Sequence, residues 1–161
     1  MEKVAHIRSV VFSFDGFHLL ARVSDAPRGE VLAWPCDLVE EEGCVTTWLC
    51  GVTSRQKGSG WMDIGMRFLL EPSERQPIEK ALLSLRHSLD FRPVAGILVQ
   101  SPFRMAELRR LYELILDTEL DRRNFSRQVR LAGFVRPEVE AFRFDAEAFD
   151  RWARKKEKKI F

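Results

Sequence analysis

The stretch DRRNFSRQVR, residues 121–130, sets four arginines around one phenylalanine and one valine. A guanidinium can fork its donors onto guanine O6 and N7 or onto a phosphate, and the amides of Asn124 and Gln128 suit adenine. Counted at about 100° per residue from Arg123, Ser126 lies at about −60°, Arg127 at about +40° and Arg130 at about −20°, while Phe125, Val129 and Ala132 gather between about 180° and 240°. A basic stripe thus opposes an apolar one. Asp121 suits the N-cap of such a helix, and Gly133 suits a left-handed stop. An apolar back for anchoring and a basic face turned outwards are what a helix entering the DNA major groove requires. The same pattern also fits a plain charged exterior on a small helical domain.

Other chemically capable residues are scattered. His6, His18 and His87 are far apart and have no Ser or Cys motif beside them, so they read as surface or hydrogen-bonded core histidines. Cys36, Cys44 and Cys50 are odd in number and lack CxxC spacing, which suggests neither a disulfide frame nor a zinc finger but buried or spectator thiols. Trp34, Trp48 and Trp61 can line a pocket, although core packing is the commoner role. No catalytic residue, metal or cofactor is expected.

The basic stretch needs elements to hold it. Only TEL separates it from FRMAELRRLYELILD, where Met105, Leu108, Leu111 and Ile115 form one stripe; so short a link makes two helices meet at a steep angle. After Gly133, FVRPEVEAFRF gives two short β-type runs about PEVE, the hairpin of a winged helix-turn-helix. Arg136 or Arg143 can reach a phosphate from this wing, while Glu138 and Glu140 at its tip repel the backbone and weaken its contribution. The last stretch, FDRWARKKEKKIF, is basic and suited either to following DNA or to being a solvated tail.

Upstream the chain reads as strands. VAHIRSVVFSF and HLLARVS flank a DG turn and predict a hairpin, and VTTWLCGVTS and WMDIGMRFLLE are two further β-type runs joined by RQKGSG. In APRGEVLAWPCDLVEEEG, Pro27, Gly29 and Pro35 argue against a long regular element. Pro72 and Pro77 mark a linker, a helix follows with Ile78, Ala81, Leu82, Leu85 and Leu89 at helical spacing, and VAGILVQ reads as a short buried strand. The expected domains are residues 1–76 and 77–161.

Composition agrees with this division. A chain of 161 residues that is 45% hydrophobic can bury a real core. Up to residue 77 there are eight basic against eleven acidic residues, and beyond it eighteen against thirteen. This asymmetry suits an anionic partner for the C-terminal part. No apolar run is long enough for a membrane span and no signal peptide is evident, so a cytoplasmic protein is expected.

Residues 84–135 resemble the C-terminal winged-helix domain of the Nudix-related transcriptional regulators, the NrtR type. The likeness rests on a leucine-rich helix ending in an aromatic and a proline, on F-x-x-x-E-L-x-x-L-Y-E from Phe103 to Glu113, and on LDRRNF from Leu120 to Phe125. It implies an α+β protein acting as a homodimer on palindromic double-stranded DNA, with a nucleotide or sugar effector for its N-terminal part. By position it gives DNA contact to Arg122, Arg123, Asn124 and Arg127, and a core role to Phe125. Ser126, Arg130 and Arg136 join them from the geometry above. Glu107, Leu108, Leu111 and Tyr112 fit the scaffold helix.

Residues 4–71 resemble a shortened, degenerate Nudix domain. In one alignment Asp37, Glu40 and Glu41 take the acidic positions of the Nudix box, but Arg22 and Arg28 replace its first glycine and glutamate, Cys36 replaces its arginine, and Pro27 and Pro35 break its helix. In the other, LAWPCDLV is the strand before the box and the helix is deleted. Either way the magnesium-holding carboxylates of a pyrophosphohydrolase are incomplete, and the glutamate triplet reads as a solvated turn. The expected function is a catalytically inactive DNA-binding regulator. The alternatives are a small Nudix-type nucleotide pyrophosphohydrolase and a protein-interaction module.

Overall fold

The computed structural model describes residues 4–25, 32–55 and 58–155. Val, Ile and Phe in VAHIRSVVFSF make β1 (Val4–Phe14), which pairs antiparallel with β2 (Leu19–Ser24) from Phe14↔Leu19 to Ser9↔Ser24. The turn forms at the expected Asp15-Gly16. Asp15 Oδ1 accepts the N–H groups of Phe17 (2.8 Å) and His18 (2.6 Å), and Gly16 supplies φ +99°, which a residue with a side chain rarely adopts.

The strand β3 (Leu32–Glu41) pairs antiparallel with β4 (Cys44–Val52), and β4 lies parallel to β1. With β5 (Met62–Asp63) the sheet runs β3-β4-β1-β2-β5. Residues 32–41 form a long strand despite Pro35, because β3 is an edge strand and a register shift between Pro35 and Asp37 accommodates the imino acid. Pro27 and Gly29 lie outside the described residues. WMDIGMRFLLE is a strand only at Met62–Asp63; there the Asp63 carboxylate accepts the Gly65 N–H at 2.9 Å and starts a 3-10 helix, Ile64–Leu69.

Helix α1 (Pro72–Ser88) replaces the expected linker, and the 76/77 division falls inside it. Pro72 stands at the first helical position, where its missing N–H has no partner to lose. Pro77 forfeits one helical bond, the one its N–H would make to the carbonyl of Ser73, an exposed residue. The face Ile78, Ala81, Leu82 and Leu85 is buried. It lies on the sheet through Trp34 Nε1 to Ser84 Oγ (2.7 Å) and Cys50 Sγ to the Ala81 carbonyl (3.4 Å). All three cysteines are free thiols.

The expected strand VAGILVQ is instead α2 (Val94–Val99). A short apolar run carries no periodicity that separates the two states. Tertiary packing selects the helix, which buries Val94, Ala95, Leu98 and Val99. Beyond it come α3 (Met105–Leu116), α4 (Arg122–Ala132), the hairpin β6 (Val135–Glu138) with β7 (Ala141–Phe144), and α5 (Ala146–Ala153). Of the basic tail, residues 156–161 lie outside the described residues. One continuous apolar core runs from Val10 and Phe12 in the sheet to Phe125 and Val129 in α4.

Candidate nucleic-acid interface

Helix α4 is fixed at both ends by the residues its sequence offers. Asp121 Oδ2 accepts the Asn124 N–H at 2.8 Å, and Gly133 adopts φ 81° while its N–H bonds the Val129 carbonyl. Phe125 and Val129 are fully buried, with the Phe125 ring set edge-on against Tyr112 at 5.4 Å between ring centres. Burying two such side chains stabilises the seat by roughly 1.5–3 kcal/mol each.

The opposite face is open. Arg122, Arg123, Asn124, Arg127 and Arg130 are exposed, and Ser126 and Gln128 are half-buried. A shallow groove of about 700 Å³ runs along Arg122, Arg123, Ser126, Arg127, Arg130 and Leu131. Arg127 Nη2 donates to Asn124 Oδ1 at 2.9 Å, so these two heads are held as a pair. Arg130 lies over the Phe142 ring of the wing, 5.7 Å from its centre. Among the described residues neither Arg122 nor Arg123 has an ion-pair partner, which leaves both guanidinium groups available to an incoming anion.

The turn before α4 is organised by Glu113. Its carbonyl accepts the N–H groups of Asp117 and Thr118, and its Oε2 accepts that of Leu120 at 3.0 Å. Asp117 is left-handed at φ 52°. Arg86 Nε on α1 reaches the Ile115 carbonyl at 2.8 Å, satisfying a group that the end of α3 leaves open. The scaffold residues Leu108, Leu111 and Tyr112 are buried, and Glu107 returns a bond to the N–H of Arg104.

The wing is tied down by its own charges. Arg136 pairs with Asp145 at 2.5 Å, and Arg143 pairs with Glu138 across the hairpin. Glu138, Val139 and Glu140 at the tip are exposed. Phe103 extends this sheet through paired bonds with Phe142 (2.9 and 2.8 Å). Phe134, Phe144, Phe149 and Trp152 pack beneath it with ring centres 5.2–5.6 Å apart for the paired rings.

The remaining candidates do not converge. His6 and His87 are exposed on separate elements; His18 sits on the β1–β2 turn with Nδ1 3.1 Å from Asp15. Trp34 is a core residue, Trp48 is half-buried beneath Arg8 and Trp61 beside Arg22. Asp37 is bound by Lys80 Nζ at 2.7 Å, a hydrogen bond that holds its carboxyl below the usual range. Glu40 and Glu41 are exposed at the end of a strand, where the first box alignment would require a helix. Arg22 is exposed on β2, and Arg28 lies outside the described residues. Among the described residues no group of three His, Cys, Asp or Glu could hold a metal ion. Arg109 and Ala106 of α3, which the sequence did not single out for the site, line a notch against α4. Their signal was only an interhelical angle, which no linear spacing carries.

Residues 97–143 match the family model of the NrtR DNA-binding winged helix domain. Over that stretch the chain is similar to the DNA-binding winged helix of NrtR-type regulators. Two solved structures of Shewanella oneidensis NrtR are similar to most of the chain. One, at 15% identity and TM-score 0.66, covers 91% of this chain and 95% of that one. The other, NrtR complexed with a 27mer DNA, has 15% identity and TM-score 0.67 over 90% of this chain and 95% of that one. No curated protein sequence matches. The likeness extends the NrtR fold across the N-terminal sheet as well as the winged helix.

Proposed function

We propose that this NrtR-type DNA-binding transcriptional regulator reads duplex DNA with the outer face of α4, two copies engaging a palindromic site about 34 Å apart. The observation that carries this reading is the α4 cross-section: exposed guanidinium groups on one side, and Phe125 and Val129 wholly buried on the other. Arg122, Arg123, Asn124, Ser126, Arg127 and Arg130 are the residues assigned to DNA. Arg136 contributes less, because a phosphate must compete with Asp145 for it. The DNA complex of Shewanella oneidensis NrtR supports double-stranded DNA as the partner.

Residues 1–76 serve as a degenerate Nudix-like platform for homodimerisation or for a nucleotide or sugar effector, without catalysis. The pyrophosphohydrolase alternative is not favoured: Asp37 is engaged by Lys80, and Glu40 and Glu41 stand on a strand rather than a box helix. Among the described residues no helix is long and apolar enough to cross a membrane, which agrees with a regulator acting in the cytoplasm.

The test is selection of bound sequences from random duplex DNA, followed by gel shifts. A pseudo-palindromic winner is expected, with affinity falling steeply as salt rises and Arg123→Ala or Arg127→Ala costing about 1–3 kcal/mol at unchanged stability. Binding that ignores salt and both substitutions would overturn the reading. Incubation with magnesium and ADP-ribose should leave the nucleotide intact.

A further inference from the structure

The basic face of α4 is not uniform. Arg122, Ser126 and Arg130 succeed one another along one flank, and that flank closes with Met105, Ala106 and Arg109 of α3 and with Phe125 into a notch of about 390 Å³. Arg123 and Arg127 are not part of it; they line only the open groove, which Arg122, Ser126 and Arg130 border as well, and Asn124 is bonded to Arg127.

The notch has the chemistry of an anion seat. Its lining holds three guanidinium groups and one hydroxyl, and no carboxylate. Glu113 Oε1 stands 3.8 Å from Arg109 Nε, too far for a hydrogen bond, and that buried Nε has no hydrogen-bond partner among the described residues. The first turn of α3, at Met105 and Ala106, adds the positive end of a 12-residue helix. Ala106 is exposed, so an incoming group meets no bulk there.

We propose that this notch seats a backbone phosphodiester of the bound duplex through Arg109, Arg122, Ser126 and Arg130, leaving Arg123, Asn124 and Arg127 to read base edges. The inference rests on the DNA-binding reading above and divides its residues by task. Phosphate contacts set register and strength without regard to sequence, whereas base contacts set preference. A phosphate fixed between two helices therefore holds the start of α4 at one depth in the groove.

The experiment uses the full-length chain, a duplex selected by the wild-type protein and a scrambled duplex of the same length. Ala106→Glu places a carboxylate at the notch mouth, on an exposed site in a helical first turn that tolerates acid. It should weaken binding about tenfold on both duplexes, leaving their ratio unchanged. Ala106→Lys should tighten binding several-fold on both and steepen the slope of log affinity against log salt by about 0.9. Arg109→Gln should flatten that slope by about 0.9. The gain from Ala106→Lys guards against a loss that merely reflects poor folding. Ala106 variants that bind as the wild type does, or that change the preferred sequence, would overturn the notch while the regulator reading stands. A wild-type protein that shifts neither duplex would overturn both.

Discussion

Asp145 joins the wing to the last helix. Its Oδ1 caps α5 by accepting the Ala148 N–H at 3.0 Å, and its Oδ2 takes Arg136. The Ala148 N–H, and after it the Arg136 guanidinium, hold the carboxyl below its usual value against an opposing desolvation. A carboxylate depressed in the folded state contributes stability that is complete above its unfolded value of about 3.9 and is lost as pH falls through the folded one. Acid titration of Asp145→Asn beside the wild type should therefore show a stability gap at pH 6 that narrows as pH falls below the ordinary carboxylate value. Cys36 behaves oppositely: burial first, and then the neighbouring Asp37 charge, push its thiol up to about 11. At pH 8 about one thiol in a thousand is thiolate, so iodoacetamide labelling of Cys36 should be far slower than that of an unperturbed cysteine. Gly96 is a packing requirement. A Cβ there would stand 2.3 Å from Cδ1 of Phe144, whose ring is held by Phe134 and Phe149. Gly96→Ala should cost about 1–3 kcal/mol, read from the urea midpoint.

Helix α4 and its lead-in turn behave as one mechanical unit. Asp121→Ala removes the cap and should cost about 1 kcal/mol. Phe125→Ala empties the seat against Tyr112 and should cost about 3–5 kcal/mol. Thermal melts of the two variants, ranked in that order, check both. Most of this element was legible in its letters, because cap, apolar stripe, basic stripe and terminal glycine are all local features read at helical spacing. The orienting turn was not. The bond from Glu113 to Leu120 spans seven residues and exists only once α3 has ended in a left-handed residue. Helix α2 was misread for a related reason. VAGILVQ is apolar on every side, so neither period could be detected, and it is helical because it packs between α3 and the sheet.

At the scale of the molecule, α1 is the joint. One face of it buries Ala81 and Leu85 on the sheet, while Arg86 reaches the end of α3. The β1–β2 turn adds a clasp from the other side, with Arg110 Nε bonded to the Phe17 carbonyl at 3.2 Å. A core continuous across these contacts should unfold as a unit, so calorimetry should show a single transition whose van't Hoff and calorimetric enthalpies agree; two separated transitions would show that sheet and winged helix melt independently. Proline signals misled at this scale. Pro72 and Pro77 suggest a linker, yet one occupies the first helical position and the other gives up a single bond, to the carbonyl of an exposed residue.

The order of amino acids alone determined the elements whose periodicity and caps are local: the first hairpin, the scaffold helix, the basic helix and the wing. It also carried the motif by which residues 97–143 match the NrtR winged helix. Only the tertiary structure decided that α1 is shared by both parts, that VAGILVQ is helical, and that Arg109 meets Arg122 and Arg130 across a notch. The physical reason is range. Capping and amphipathicity act over one or two turns of chain, whereas the partner of a buried face or a guanidinium is set by how separate helices cross, which no single stretch of sequence encodes.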